Sequence, residues 1–374
     1  MKLAFVALMV VASASSASAQ PRRPPQPDLT IDQAVRQQVI DKAIAVLRKS
    51  YVFPDVAAKL ETLLKDRVRA GAYDKMTSAN AFADQLTKDL QSVSHDKHMR
   101  MRYSAKVVPP SDHDPDGPPT PEDIAQTRKM IGETNGGLVK VERLDGNIGY
   151  LRLDYFLPGE DVAKLIGAAM TLVAGTDALI IDLRQNHGGD PMTVSLMVSY
   201  LYGEFEEIHI NDIYFRPKDF TRQYWSHGGL AGPRYAGKPV YVLTSHDTFS
   251  GGEEFSYDVQ NLKRATLVGE VTGGGANPGG FERVGEHFAL FVPTGRAISP
   301  VTKTNWEGVG VKPEIAVAAA QALEAAYLEA LRAQRKRVSA TDSPQLSREI
   351  DDALAERSGK PKAPPPGAGP RPRP

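Results

Sequence analysis

Two apolar segments, each followed by a polar loop and a helical pattern, constrain the fold of this chain most. ALIIDLR (178–184) and PVYVLTS (239–245) are short and apolar, as strands buried on both faces are. Helical patterns cover 161–172, 192–202 and 252–261. Strands that alternate with helices predict βαβ units in a largely parallel sheet, and hence an α/β fold. Reactive side chains of such sheets gather at the carboxyl ends of the strands, which here are the two polar loops.

Both ends of the chain are predicted to lie outside the folded part. The N-terminus combines Lys2, an apolar stretch from Leu3 to Val11 and the small-residue pattern Ala17-Ser18-Ala19, which is typical of a signal peptide. The chain is therefore expected to be exported, to the periplasm or the outside of a bacterial cell. The predicted parts are a signal peptide (1–19), a disordered lead (20–29), an N-terminal helical bundle (30–108), a linker with a short helix (109–136), an α/β core (137–335) and a disordered proline-rich tail (336–374).

The composition excludes several classes of function. The chain has 45 basic and 45 acidic side chains, and this balance argues against a nucleic-acid-binding protein. It contains no cysteine, so neither disulfides nor cysteine chemistry can operate. After the first twenty residues there is no run of 18 or more apolar residues, and no membrane span is expected there.

Ser245, His246 and Asp247 stand side by side after the second strand and have the residue types of a hydrolytic triad. Side chains alternate along a strand, so neighbours point to opposite faces and cannot form the relay that a triad needs. Ser250 is the better candidate nucleophile, because it precedes Gly251 and a helical pattern, where free N–H groups favour negative charge. Serine is equally favoured as a plain helix N-cap, and the local sequence does not decide between the two roles.

The loop after the first strand holds another glycine pair. Gly188 and Gly189 are expected to begin a helix, so their N–H groups would face the same crevice as Ser250. One of them, together with the Gly251 N–H, could hold an oxyanion. Neither a G-x-G-x-x-G nor a P-loop pattern occurs, which argues against a phosphate site. His187 is either a base or a polar loop residue.

Five blocks in order, NIGYLRLDYF, LIIDLRQNHGG, TSHDTFSGGEEF, LVGEVTGGG and NWEGVGVKPEI, resemble the core of the tail-specific (C-terminal processing) serine peptidases. The chain is most similar to the branch that includes interphotoreceptor retinoid-binding protein and bacterial relatives. The resemblance covers about 137–317 and the segment ending in SHDKH (94–98). It implies a crotonase/ClpP-like core with a mixed, largely parallel sheet after an N-terminal helical bundle. The 109–136 segment is too short for the PDZ domain that many members carry.

The resemblance also implies roles for single residues. Ser250 matches the nucleophile, but the lysine that activates it in tail-specific proteases falls on Gly275 here, and Lys263 is expected to face solvent. A D-x-H motif of retinoid-binding-like and tricorn-like relatives matches Asp96-Lys97-His98, which implies His98 as the base, with His95 as the alternative.

Two further features border this implied site. Glu307 matches an acidic residue that completes the relay in tricorn-like members, although Asp96 could also orient His98. The segment GGGANPGG (273–280) is expected to be a mobile loop beside the cleft.

The function that follows is acyl transfer on a peptide or protein substrate. Ser250 would attack the carbonyl, His98 would move the proton, and glycine N–H groups would hold the oxyanion. Neither a metal nor an organic cofactor is implied, and the oligomeric state stays open. The alternative is a binding protein of the same fold that carries a lipophilic ligand or a peptide. An α/β-hydrolase is disfavoured, because Thr248 stands where its G-x-S-x-G elbow needs glycine.

Overall fold

The computed structural model describes residues 26–109 and 120–357. The predicted signal peptide, most of the lead, part of the linker and the end of the chain from 358 lie outside the described residues. The helices are α1 (Gln33–Ser50), α2 (Pro54–Arg69), α3 (Ala79–Ser94), α4 (Pro121–Thr134), α5 (Glu160–Val173), α6 (Pro191–Ser199), α7 (Gly251–Asn261), α8 (Ala319–Arg337) and α9 (Pro344–Arg357). The strands are β1 (Arg100–Tyr103), β2 (Leu138–Leu144), β3 (Ile148–Leu153), β4 (Ala178–Asp182), β5 (His209–Phe215), β6 (Phe220–Trp225), β7 (Val240–Thr244), β8 (Thr266–Gly269), β9 (Gly279–Arg283), β10 (Phe288–Pro293), β11 (Gly295–Ile298) and β12 (Ile315–Ala316).

A six-stranded sheet in the order β12-β8-β7-β4-β3-β2 forms the centre of the core. Its strands run parallel except β2, which pairs antiparallel with β3. Alternate residues of β4 enter different cores: Ile181 packs in the layer of α5, α6 and α7, and Ile180 packs in the layer of α8 and α9. The predicted α/β fold with a mixed, largely parallel sheet is confirmed.

The N-terminal region is helical as predicted, but it is not a separate bundle. Strand β1 follows α3 and pairs antiparallel with β10, which also pairs with β9. Phe288, Leu290 and Val292 of β10 lie in the same apolar cluster as the buried faces of α1 to α3. This pairing joins the N-terminal region to the core and carries His98, two residues before β1, toward the sheet.

The prediction of a disordered tail from 336 is wrong for part of that range. Helix α9 covers Pro344–Arg357, and its Ile350 and Ala353 are buried against α8 and the sheet. The proline-rich end of the chain predicts disorder, but the residues before it carry apolar side chains at helical spacing. None of the helices in the described ranges is long and apolar enough to cross a membrane.

Candidate active site

Two polar loops meet at the carboxyl edge of the sheet. Strands β4 and β7 are parallel neighbours in register, with Asp182 opposite Leu243, so the loops that leave them run side by side. The Phe249 N–H donates to the Asn186 carbonyl at 2.9 Å and joins the two loops directly. The expected gathering of reactive groups at this edge therefore occurs between 183–190 and 245–250.

Ser250 occupies a strained position between β7 and α7. Its φ of 53° and ψ of −118° lie in a region that non-glycine residues rarely adopt. It is half-buried and immediately precedes the first residue of α7, so its side chain sits where the helix presents free N–H groups. Backbone strain of this kind persists only where surrounding contacts enforce it, and it is concentrated at functional sites.

The glycines of the two loops lie against one another. A Cβ on Gly188, whose φ is +94°, would stand 2.7 Å from Ser250 Cβ and 2.8 Å from the Gly251 nitrogen. A Cβ on Gly251 would stand 3.0 Å from the Gly189 nitrogen. Only glycine at these positions allows the loops to approach so closely.

The hydrogen bonds of these glycines exclude Gly188 from the predicted oxyanion hole. The Gly188 N–H donates to Asn186 Oδ1 at 2.9 Å, so it is not available to an oxyanion. Within the described part of the chain, the N–H groups of Gly189 and Gly251 have no acceptor. They are the pair that could hold a developing oxyanion.

The adjacent Ser245, His246 and Asp247 do not form a triad. Ser245 is buried, and its hydroxyl donates to the Arg184 carbonyl at 2.6 Å. His246 is exposed and lies between two carboxylates, with ring nitrogens 3.2 Å from both Asp247 and Glu270. The three residues form the turn after β7.

The His98 ring contacts Phe249, the residue that precedes Ser250. Its ring centroid is 4.6 Å from that of Phe249 and 5.7 Å from that of Phe291. The side chain is only 6% exposed, and its Nδ1 has no hydrogen-bond partner among the described residues. Burial, together with the positive charge of Arg100, lowers the pKa of His98 to about 4, so the ring is neutral at pH 7.

Two carboxyl groups complete a cluster with this histidine. A ring nitrogen of His98 and one oxygen each of Asp96 and Glu307 lie within 4.8 Å of one another. Asp96 Oδ1 accepts the backbone N–H of His98 at 3.0 Å, and its Oδ2 accepts from Asn277 Nδ2 at 2.9 Å. Burial and the charge of Asp96 raise the pKa of Glu307 to about 8, so Glu307 holds a proton at neutral pH.

Glu253, one turn into α7, ties the loop 272–275 to the serine. Its Oε2 accepts the N–H groups of Ser250 at 3.0 Å and Gly275 at 2.8 Å. Its Oε1 accepts from Thr272 Oγ1 at 2.6 Å and the Gly274 N–H at 2.5 Å. The carboxylate is fully buried and thus fixes the backbone on both sides of the cleft.

The expectation of a mobile loop at 273–280 is therefore wrong for its first half. Gly274, Gly275, Ala276 and Asn277 are buried, and the Ala276 N–H donates to Glu307 Oε2 at 2.5 Å. The segment is held from one side by Glu253 and from the other by Glu307. This makes it a wall of the site.

Gly275 stands at the position where tail-specific proteases carry lysine, and neighbouring rings fill the space beside it. A Cβ on Gly275 would stand 2.3 Å from Phe249 Cζ and 2.8 Å from His98 Cε1. The rings of Phe249 and His98 thus occupy the space that a longer side chain would need. Lys263 is exposed in the structure, as expected.

The remaining candidates lie apart from the cluster. His95 is exposed and ends α3 in the left-handed conformation, with φ of 55°. His187 is exposed, and its ring lies 5.6 Å from that of Tyr155.

Sequence reasoning did not assign the positioning roles of Asn186 and Glu253. The spacing Ser250-x-x-Glu253 is a capping-box signal that could have pointed to Glu253.

Comparisons with known proteins agree with this architecture. Residues 147–317 match the model of peptidase family S41, and residues 29–140 match that of the N-terminal domain of peptidase S41 in eukaryotic IRBP. A carboxyl-terminal-processing protease of Synechocystis sp. is 27% identical over 161 residues, which are 42% of this chain and 35% of that protein. A carboxy-terminal-processing protease of Bartonella bacilliformis is 29% identical over 181 residues, 47% of this chain and 40% of that protein. The chain thus spans well under half the length of these relatives.

Solved structures share the fold. A candidate peptidase of Parabacteroides merdae superposes with a TM-score of 0.54 at 20% identity, covering 76% of this chain and 90% of that one. A candidate S41 protease of Bacteroides fragilis gives a TM-score of 0.52 at 14% identity, covering 90% and 99%. The two matched domains cover most of the described residues, and the resemblance seen in the motifs is confirmed. The chain belongs to peptidase family S41.

Proposed function

We propose that this chain is an exported serine peptidase that hydrolyses peptide bonds of protein substrates through an acyl-enzyme on Ser250. The observation that carries this proposal is the strained backbone of Ser250 at the start of α7, beside the free N–H groups of Gly189 and Gly251. The names of the curated relatives support a processing protease, and the N-terminal sequence supports export.

His98 is the base in the proposed mechanism. As Ser250 Oγ attacks the carbonyl carbon, its proton passes to the neutral imidazole, and the carbonyl oxygen becomes an oxyanion held by Gly189 and Gly251. His98 then returns the proton to the leaving amine, and the acyl-enzyme forms. A water molecule repeats the sequence and releases the acid.

The carboxyl groups near His98 stabilise the state in which it is charged. One oxygen each of Asp96 and Glu307 lies within 4.8 Å of a ring nitrogen, so the negative charge of Asp96 favours the imidazolium over the neutral ring once the proton arrives. A positive charge on His98 would also favour ionisation of the Glu307 carboxyl, whose pKa is raised by burial and by the charge of Asp96. Asp96 and Glu307 therefore act as positioning and charge-stabilising residues.

Labelling with a fluorophosphonate probe tests the proposal. The probe phosphorus bonds to Ser250 Oγ and fluoride leaves, so intact-mass and peptide-mapping measurements should find one adduct, on the peptide that contains Ser250. Ser250→Ala is the control and should remain unlabelled. A well-folded wild-type protein that takes up no probe and cleaves no peptide would favour the lipophilic-ligand or peptide carrier instead.

Gly275→Ala provides a second prediction, because the added methyl group collides with Phe249 and His98. We expect the labelling rate to fall about tenfold or more, since displacement of a catalytic group by about 1 Å has effects of this size. Gly228→Ala is the matched control, since a Cβ there meets no atom within 4 Å. Equal labelling rates for the two variants would contradict the placement of His98 at this wall.

A further inference from the structure

The cluster of Asp96, His98 and Glu307 has the composition of a metal site as well as of a catalytic relay. One potential ligand atom from each residue lies within 4.8 Å of the other two. Zn²⁺ holds nitrogen and oxygen ligands at about 2.0–2.2 Å, which separates tetrahedral ligand atoms by about 3.5 Å. A side-chain movement of about 1 Å is therefore enough to bring the three atoms onto one ion.

Two atoms of the cluster lack the hydrogen bonds that buried polar atoms normally make. His98 Nδ1 and Glu307 Oε1 are buried, and no donor or acceptor among residues 26–109 and 120–357 reaches them. The His98 side chain is more than nine-tenths buried, so water does not readily compensate the missing partner. Potential ligand atoms of these two side chains lie within 4.8 Å of one another, so an ion bound through the two unpartnered atoms would satisfy both.

The charges of the cluster also suit a divalent cation. The cluster offers one imidazole and two carboxyl groups, which are donor groups that zinc binds in proteins. Arg100 opposes the ion, since its charge acts on His98, but two carboxylates outweigh one guanidinium.

We propose that Asp96, His98 and Glu307 bind one Zn²⁺ ion, and that this binding switches the peptidase off reversibly. Imidazole combined with carboxylates favours zinc over magnesium or calcium, which prefer oxygen ligands in larger number. The metal occupies the lone pair with which His98 would accept the serine proton, so the ion is an inhibitor and no step of the reaction uses it. The inhibition rests on the proposed function, whereas the binding does not.

Titration calorimetry with Zn²⁺ and the visible absorption of bound Co²⁺ test the binding without any activity. We expect one site per chain in the wild type and in Ser250→Ala. His98→Ala should weaken the affinity about 100-fold or more, because it removes a ligand. Glu307→Gln should weaken it as well and guards against misfolding of the first variant. His246→Ala, which removes an exposed histidine between two carboxylates, should bind zinc as the wild type does.

The possible outcomes distinguish a failure of the zinc site from a failure of the peptidase function. If His98→Ala and Glu307→Gln bind zinc as tightly as the wild type, or if only His246→Ala loses the ion, the proposed site is wrong. If zinc binds as expected and also slows fluorophosphonate labelling of Ser250, with recovery after chelation, both proposals stand. If zinc binds to wild type and Ser250→Ala but Ser250 is never labelled, the site stands and the peptidase function fails.

Discussion

His98→Ala is expected to lower kcat/KM for peptide cleavage, and the rate of fluorophosphonate labelling, by about 10⁴-fold or more. Removal of the histidine that serves a catalytic serine costs about as much as removal of the serine itself. Among residues 26–109 and 120–357, the other base candidates His95 and His187 are exposed, and Gly275 stands where relatives are expected to carry lysine. The measurement is steady-state cleavage of a casein or peptide substrate, with circular dichroism to verify folding.

His95→Asn is the matched comparison for this prediction. Asparagine tolerates the left-handed backbone that His95 adopts at the end of α3, so the fold is retained. We expect activity within about twofold of the wild type, because the His95 ring lies outside the cluster. A large loss in His95→Asn with little loss in His98→Ala would reverse the assignment of the base.

The pH dependence of labelling tests the assignment of His98 as the base through the pKa of its imidazole. A general base must be unprotonated, so its activity is lost as the pH falls below its pKa. Because the pKa of His98 is lowered to about 4, the rate should persist well below pH 6.5, where an ordinary histidine would already be protonated. Arg100→Gln removes a positive charge from beside His98 and should move this acid limb to higher pH. An acid limb near 6.5 in both proteins would contradict the buried environment of His98.

The sequence was sufficient to predict that the loops containing Gly189 and Ser250 lie together at one edge of the sheet. The carboxyl ends of adjacent parallel strands lie at the same edge of the sheet. The loops after β4 and β7 are therefore expected to meet there. This rule does not predict which N–H groups of the two loops remain free, as Gly188 shows. Its N–H is captured by the side chain of Asn186, and such a choice among neighbouring donors depends on side-chain geometry that no spacing pattern encodes.

His98 could be placed only through family resemblance. It lies far from Ser250 in the sequence, and what brings it to the site is the pairing of the four-residue strand β1 with β10. Neither the short strand nor its register has a distinctive pattern, because long-range pairing depends on the partner strand as much as on the segment itself. Helix α9 was missed for the opposite reason: Pro344 at its first turn and apolar residues at helical spacing were present, but the composition of the whole tail obscured them.

Glu253→Gln is expected to destabilise the protein by about 2–6 kcal/mol and to abolish labelling of Ser250. Each carboxylate oxygen accepts two hydrogen bonds, from the Thr272 hydroxyl and three backbone N–H groups. An amide has only one accepting oxygen, so either orientation of the glutamine turns its NH₂ group toward two buried donors. Each donor left without an acceptor costs about 1–3 kcal/mol. Urea unfolding monitored by tryptophan fluorescence measures the change.

The neighbouring Glu254→Gln separates this effect from the general cost of altering a buried acid. Glu254 is also buried in α7, but within the described part of the chain it accepts only from Asn211 Nδ2, at 3.0 Å, and burial raises its pKa to about 7. Glutamine resembles the protonated carboxyl and keeps that acceptor, so we expect a loss of less than about 1 kcal/mol and normal labelling. The two variants carry the same substitution at adjacent, buried positions, and they differ in how many N–H groups face the carboxylate. Equal stability of the two would mean that Glu253 does not hold the loop 272–275 against Ser250. A large loss in Glu253→Gln alone would show that the strained backbone of the serine is maintained by this single carboxylate.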